Sequence, residues 1–207
     1  MAQSFGLGAH DIACERGGRL LFEKLNFSLG PGEALLISGP NGAGKTSLLR
    51  QIAGLLPLAS GRLSLRGGET EATLAELCHY VGHLNGIKSA ESVAENLSFW
   101  RDYLGPEAAS PSAALNVFGL RALADLPVGL LSAGQKRKLA LSRLFAAARP
   151  IWLLDEPSVS LDPASVKLLE RAIARHLTRG GIALIASHVG LNVKCKHRLV
   201  LGRGGNR

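Results

Sequence analysis

Residues 39–46 read Gly39-Pro40-Asn41-Gly42-Ala43-Gly44-Lys45-Thr46 and fit the pattern G-x-x-x-x-G-K-[ST]. An apolar stretch, Ala34–Ser38, precedes this segment, and a helix is predicted after it, from Gly44 to about Ala53. Glycines let the backbone wrap closely around phosphates, and a helix N-terminus attracts anions. Lys45 would reach the β- and γ-phosphates, and the Thr46 hydroxyl would ligate Mg²⁺. The segment therefore predicts a nucleotide site that also includes Ser47, with Lys45 assisting catalysis.

A second candidate element consists of Asp155 and Glu156, which follow the apolar run Ile151–Leu154. A buried parallel strand is typically apolar throughout, so we expect these acids at the end of such a strand, beside the phosphates. Asp155 would hold Mg²⁺ directly or through water, together with Thr46. Glu156 would orient and deprotonate the attacking water. The alternative, two solvated acids at a strand end, is less favoured beside a phosphate loop.

The composition predicts a globular, cytosolic chain. Its 207 residues are 46% hydrophobic and 19% charged, and a chain of this length buries a core without disulfides or metals. Its apolar runs are shorter than the roughly 18 residues that a membrane span needs. The N-terminus does not resemble a secretion signal, and the three scattered cysteines are expected to be free thiols.

The net charge of +8 fits several partner classes equally well: nucleic acid, an anionic membrane surface or a phosphorylated ligand. The basic excess is diffuse, with local clusters at residues 136–138 and 194–198. Both clusters are interpreted as solvated faces.

Short apolar segments alternate with helical stretches, which predicts an α/β fold. Strands are predicted at Arg19–Leu29, Ala34–Ser38, Arg62–Leu65, Leu77–Val81, Ile151–Leu154, Ile182–Ser187 and His197–Leu201. Asp162 and Pro163 are a typical N-cap and first residue of a helix, which is expected to end at Arg179.

The stretch from Glu91 to Ala148 is mostly helical in pattern, with breaks at Gly105-Pro106 and Pro111. We therefore expect a helical subdomain at about 82–148, inserted into the α/β core. The whole chain, 1–207, is expected to form one domain, with no regulatory domain after the last strand.

Residues 131–135, Leu131-Ser132-Ala133-Gly134-Gln135, precede Asp155 by 20 residues counted from Gln135 and open an apolar-periodic helix. Ser132 and Gln135 have the spacing of a capping box, which alone would explain them. Together with the phosphate loop, the segment also resembles the signature motif of ATP-binding cassette (ABC) ATPases, usually L-S-G-G-Q, and both interpretations can hold.

The resemblance implies a P-loop NTPase of the ABC-ATPase type: a RecA-like α/β core with an antiparallel β-subdomain and an inserted helical subdomain. It implies that ATP and Mg²⁺ are bound and that a second ATP-binding subunit pairs head to tail with the first. The signature residues of each subunit would then face the nucleotide on the other; they are Ser132, Ala133, Gly134 and Gln135.

Two further family elements match by position. Asp162, in Ser160-Leu161-Asp162, corresponds to the D-loop, although it is equally well explained as a helix N-cap. His188, directly after the strand Ile182–Ser187, corresponds to the switch histidine, which binds the γ-phosphate and positions the water.

Two departures from the family pattern concern the nucleotide. His83 stands where the Q-loop usually carries glutamine, and Arg16 stands near the place of an aromatic residue that stacks on adenine. An imidazole can still bind a metal-bound water, and a guanidinium can stack on a base, so both are included as nucleotide-binding candidates.

Several segments together resemble one branch of the family, the ATP-binding subunits of cytochrome c maturation, also called haem exporter subunits. They are Cys14-Glu15-Arg16, Gly82-His83 with Gly86-Ile87-Lys88, and the signature helix through Leu144. This resemblance implies an ATPase for c-type cytochrome biogenesis, acting in haem export, haem delivery or haem-chaperone release.

The same resemblance implies a peripheral location on the cytoplasmic face of the bacterial inner membrane. The partners would be an integral membrane permease and further cytochrome c maturation proteins. The docking segment would be His83–Arg101, with anchors at Ile87 and at either Phe99 or Trp100.

Three alternatives remain open at this point. The chain could be the ATPase of a different ABC exporter, a non-transport ABC protein acting on nucleic acid, or a nucleotide sensor that does not hydrolyse. The basic charge is the single feature of the sequence that suggests a nucleic-acid partner, so none is expected. Glu156 and His188 disfavour the sensor.

Overall fold

The computed structural model describes residues 5–67, 72–105, 110–188 and 190–202. Two sheets and a group of helices make up the fold, which is α/β as predicted. The strands are β1 Gly6–Arg16, β2 Arg19–Leu29, β3 Ala34–Ser38, β4 Ser60–Arg66, β5 Cys78–Val81, β6 Ile151–Asp155, β7 Ile182–Ala186 and β8 His197–Val200. The helices are α1 Lys45–Ile52, α2 Leu74–Leu77, α3 Val93–Leu104, α4 Pro111–Val117, α5 Ala133–Ala146 and α6 Pro163–Thr178.

The central sheet is parallel, with strand order β5-β6-β7-β3-β8. Every residue of β6 and β7 is buried, because both faces of these strands are covered. Alternate side chains divide between two cores. Leu153 and Leu184 pack with α1 and the second sheet, whereas Trp152 and Ile185 pack with α5 and α6. The carboxyl ends of β3, β6 and β7 consequently meet at one edge.

The second sheet is antiparallel, with order β2-β1-β4, and shares a core with α1. Its central strand, β1, is absent from the sequence prediction. Gly6, Gly8 and Ala9 are weak strand formers, and register shifts around Asp11, whose φ is +48°, interrupt the alternation of buried and exposed residues.

The helices between β5 and β6 enclose a core of their own, which includes Val93, Leu97, Leu115 and Leu139. Serine and glutamate form a capping box at the start of α3, through Ser92 and Glu95. Helix α3 ends at Leu104, next to the predicted break at Gly105, and α4 begins at Pro111, also a predicted break. The prediction at Pro106 lies outside the described residues.

Most predicted element boundaries agree with the structure within two residues. The prediction is wrong at Leu77, which ends the short helix α2 instead of beginning β5, because Thr73 and Glu76 form a capping box there. None of the helices in the described ranges is long and apolar enough to cross a membrane.

Candidate nucleotide-binding and hydrolysis site

The phosphate loop joins β3 to α1, and its backbone conformation requires glycine. Gly39 has φ +134°, and a Cβ there would lie 2.3 Å from the carbonyl oxygen of Leu201. Gly44, with φ +101°, precedes α1, and a Cβ there would lie 3.0 Å from the Phe22 ring. Larger residues would displace either β8 or the second sheet, so these glycines fix the path of the loop.

Lys45 is the first residue of α1, and its side chain is buried. Its Nζ donates hydrogen bonds to the carbonyl oxygens of Gly39 at 2.8 Å and Pro40 at 3.0 Å. Among the described residues, no carboxylate forms an ion pair with it. A cation at the positive end of a helix dipole is unfavourable by itself, so this arrangement favours a bound anion.

Asp155 ends β6 with only 2% of its surface exposed. Its Oδ2 accepts a hydrogen bond from the Thr46 hydroxyl at 2.8 Å, and the Tyr80 hydroxyl lies 3.5 Å from the same oxygen. Burial raises the pKa of Tyr80, and the Asp155 carboxylate acts in the same direction. A hydroxyl and a carboxylate side by side are the oxygen donors that Mg²⁺ prefers, so these residues fit that ion.

Glu156 follows β6 in a left-handed conformation, with φ +47°. Its N–H donates to the carbonyl oxygen of Ala186 at 2.8 Å, and its Oε2 accepts from the backbone N–H of His188 at 3.3 Å. Its Oε1 is buried, accepts no hydrogen bond from the described residues and lies 3.5 Å from Nε2 of His188. Backbone strain and a buried free acceptor are typical of groups held ready for chemistry.

These residues surround one open cleft of about 530 Å³. Its lining comprises Arg16, Leu21, Asn41, Gly42, Gly44, Lys45, Thr46, Ser47, His83, Asp155, Glu156 and His188. Arg16 and His83 are both exposed at its edge. A larger cavity of about 730 Å³ lies between α4, α5 and α6, but none of the predicted nucleotide or signature residues lines it.

The signature residues lie outside this cleft. Ser132 and Gln135 form the predicted capping box, with hydrogen bonds of 3.2 Å and 2.8 Å between backbone N–H groups and side chains. A Cβ on Gly134 would lie 2.9 Å from the carbonyl oxygen of Ser160, so the signature contacts the D-loop closely. Ala133 is exposed.

Asp162 caps α6 by accepting from the Ser165 N–H at 2.8 Å, and it pairs with Lys138 of α5, also at 2.8 Å. The hydrogen bond from Lys138 holds the pKa of the Asp162 carboxyl far below its usual range, and the bonds from Ser165 lower it further. The D-loop is thereby attached to the signature helix.

The sequence pattern of the ABC transporter family matches residues 22–159. A cytochrome c biogenesis ATP-binding export protein CcmA from Chelativorans sp. is 48% identical over 199 residues, covering 96% of this chain and 98% of the relative. A CcmA protein from Nitrobacter winogradskyi is 47% identical over 196 residues, covering 95% and 98%. The chain belongs to the CcmA family of ABC transporter proteins.

Solved structures support the fold of this CcmA-family chain. A putative ABC transporter ATP-binding protein from Pyrococcus furiosus superposes with a TM-score of 0.80 at 22% identity, covering 95% of this chain and 97% of that one. The ATP-binding subunit of another ABC transporter gives a TM-score of 0.83 at 21% identity, covering 94% and 85%. The P-loop NTPase fold of the ABC-ATPase type is therefore confirmed, and the chain is an ABC-type ATPase that binds nucleotide.

One residue of this CcmA-family site escaped the sequence analysis. Arg137, interpreted there as part of a solvated cluster, is only 4% exposed and contacts the residues around Glu156. The solvated-face interpretation is therefore wrong for Arg137. Helical spacing was the available signal, because Arg137 shares a face of α5 with Leu141 and Leu144, both buried.

Proposed function

We propose that this ABC ATPase hydrolyses ATP to drive a step of c-type cytochrome biogenesis, in haem export, haem delivery or haem-chaperone release. The observation that carries the hydrolytic part is the buried Oε1 of Glu156, which has no hydrogen bond from the part of the chain that the structure describes, lies 3.5 Å from Nε2 of His188 and shares a cleft with Lys45, Thr46 and Asp155. The names of the CcmA relatives support the pathway.

The phosphate loop would bind the triphosphate through the backbone of residues 39–47. Lys45 already points to the loop carbonyls, and phosphate oxygens would become additional acceptors for its Nζ. Mg²⁺, held by Thr46 and Asp155, would neutralise phosphate charge during the reaction. Arg16 and His83 would contact the nucleotide from the edge of the cleft, where both side chains are exposed.

Glu156 would act as general base in the hydrolytic step. A water oxygen bonds to the γ-phosphorus, the bond from that phosphorus to the β–γ bridging oxygen breaks, and ADP leaves. The proton of the water passes to the Glu156 carboxylate. His188 would orient the water and the γ-phosphate, since its ring nitrogen already lies 3.5 Å from the carboxylate.

A second subunit would complete each nucleotide site. Ser132, Ala133 and Asp162 are exposed, and neither they nor Gly134 and Gln135 line the cleft of their own chain. A head-to-tail dimer would bring the N-terminus of α5 from one subunit to the γ-phosphate bound by the other.

The membrane permease would dock on the segment His83–Arg101 and its continuation along α3. Phe99 and Tyr103 stack with ring centroids 6.1 Å apart and are 42% and 71% exposed. Trp100 instead donates its ring N–H to the Gly86 carbonyl at 3.0 Å, and Ile87 packs on the helical core. Aromatic anchors dominate interface energies, so Phe99 and Tyr103 are better anchors than the predicted Ile87.

This permease, with further cytochrome c maturation proteins, would hold the ATPase at the cytoplasmic face of the inner membrane. Residues 1–207 would act as a single ABC ATPase domain, with about 82–148 as its helical subdomain. The coverage of CcmA relatives, 96% of this chain, supports that organisation.

The test combines a cellular and a biochemical readout. In a strain that lacks the chain, the wild-type protein should restore haem-stained c-type cytochromes, whereas Glu156→Gln should not, although it accumulates equally. The chain should also copurify from detergent extract with a cytochrome c maturation permease. Normal cytochromes with Glu156→Gln would contradict the catalytic assignment, and copurification with an unrelated permease would contradict the pathway.

A further inference from the structure

Arg137 makes an unusual set of contacts for a buried cation. A guanidinium has five N–H donors, and the structure gives Arg137 five hydrogen bonds. Its acceptors lie in two separate segments: three carbonyls at the end of β6 and just after it, and two oxygens in the loop that follows β5. They are Asp155 O at 2.9 Å, Glu156 O at 2.8 Å, Pro157 O at 3.2 Å, Gly82 O at 2.7 Å and Asn85 Oδ1 at 3.1 Å.

The bonds from Arg137 to the carbonyls of residues 155–157 help to hold the strained backbone of Glu156. Glu156 has φ +47°, a conformation that costs a non-glycine residue free energy unless its surroundings hold it. Its N–H is fixed by Ala186 at 2.8 Å and its carbonyl by Arg137 at 2.8 Å. Both ends of the residue are therefore held, and the carboxylate is left facing the cleft.

All five acceptors are neutral, so none of them neutralises the positive charge of Arg137. Within the described part of the chain, no carboxylate forms an ion pair with Arg137. Burial lowers the pKa of Arg137, while the nearby Asp155 and Glu156 carboxylates raise it. Arg137 thus holds the backbone of these two acids without occupying the carboxylate oxygens that the reaction needs.

We propose that Arg137 is a positioning residue that aims Glu156 at the water and couples it to the loop that carries His83. Its planar fork spans both loops at once, which the three diverging donors of a lysine cannot reproduce. A displacement of Gly82–Asn85 would shift the guanidinium and, through it, the turn at Glu156. The inference rests on the proposed role of Glu156 as the base.

The main test compares Arg137→Lys with Arg143→Lys in the full-length chain. Arg143 is also buried on α5, but within the described ranges the one hydrogen bond that its side chain donates goes to Ala140 O of its own helix, and its guanidinium stacks on Trp100. Arg137→Lys should lower kcat by about tenfold or more and change KM for ATP by less than about threefold. Arg143→Lys should keep kcat within about twofold, and thermal unfolding followed by circular dichroism should show both variants folded. A wild-type kcat in Arg137→Lys would overturn the proposal.

A double-mutant cycle separates positioning from a general structural defect. If Arg137 acts through Glu156, Arg137→Lys should change the residual single-turnover rate of Glu156→Gln by less than about twofold. A further loss as large as that in the wild-type background would overturn the proposal. A Glu156→Gln protein with wild-type turnover would instead overturn the proposed function itself.

Asn85→Ala provides a second variant in case Arg137→Lys does not fold. It removes one acceptor from a half-buried position and leaves the guanidinium in place. We expect kcat to fall by about threefold at unchanged KM, and this loss to vanish in the Glu156→Gln background. An unchanged kcat would overturn the coupling between the two loops.

Discussion

The phosphate-loop side of the molecule and the signature side differ in how complete they are. Lys45, Thr46 and Asp155 converge on one cleft and are already hydrogen-bonded there. Ser132 and Gln135 form hydrogen bonds with each other at a helix start and do not line this cleft. One side is therefore organised within a single chain, whereas the signature side would need the proposed second subunit to meet a nucleotide.

This difference suggests a division of roles. The phosphate-loop side should bind nucleotide in the monomer, because its contacts are internal and preformed. The signature side should matter only when two subunits close around ATP. Variants on the two sides are therefore expected to fail in different assays.

The largest effect is expected for Glu156→Gln. The amide keeps the shape of the side chain but cannot accept the proton of the attacking water, so turnover should fall by about 10²–10⁴-fold. ATP binding should persist, and the unhydrolysed nucleotide should hold a closed dimer that gel filtration detects. A monomer that turns over normally would place the base elsewhere.

Lys45→Ala should impair ATP binding, the step that precedes hydrolysis. Loss of charge-assisted bonds to the phosphates should weaken ATP affinity by about 10- to 100-fold, as measured by equilibrium dialysis. Circular dichroism should show an unchanged fold, since both hydrogen bonds that the structure gives Lys45 Nζ go to carbonyls of the phosphate loop itself. Wild-type affinity in this variant would remove the phosphate loop from the binding site.

The sequence could predict the parts of the site that depend on local patterns. Asp155 ends the buried strand β6, and Lys45 begins the helix after the loop that follows β3, so local sequence patterns were sufficient to predict that they lie together. Their catalytic roles remain predictions. Arg137 was missed because a run of three basic residues was judged by charge, while its burial depends on helical spacing against Leu141 and on loops distant in sequence.

Strand β1 shows a second limit. Gly6 and Gly8 lower its intrinsic strand preference, and the strand is stabilised by pairing with both β2 and β4. The sequence also could not predict which individual side chains are exposed. The sequence placed Phe99 and Trp100 side by side, but only the structure shows that Trp100 bonds to Gly86 while Phe99 stacks outward on Tyr103.

Gly134→Ala should have a smaller effect, confined to the signature side. The added Cβ would lie 2.9 Å from the carbonyl oxygen of Ser160 and push the signature away from the D-loop. We expect about a threefold to tenfold loss of ATP-dependent dimerisation and unchanged nucleotide affinity in the monomer. Ala133→Gly, at the exposed neighbouring position, is the matched control and should dimerise normally. Equal behaviour of both variants would show that the contact with Ser160 is unimportant.

The smallest effect is expected for Ser132→Ala and concerns stability; a second variant, Ser132→Asp, then distinguishes the two interpretations of Ser132. As an N-cap, its hydroxyl accepts from the Gln135 N–H at 3.2 Å, so Ser132→Ala should lower the free energy of unfolding by about 1 kcal/mol. Ser132→Asp retains a capping oxygen and should unfold like the wild type in urea. Its negative charge would, however, repel the γ-phosphate held by a partner subunit, so ATP-dependent dimerisation should fall by about tenfold or more. If Ser132→Asp were stable and also dimerised normally with ATP, Ser132 would be a helix cap alone, and the nucleotide would lie beyond the reach of the signature helix.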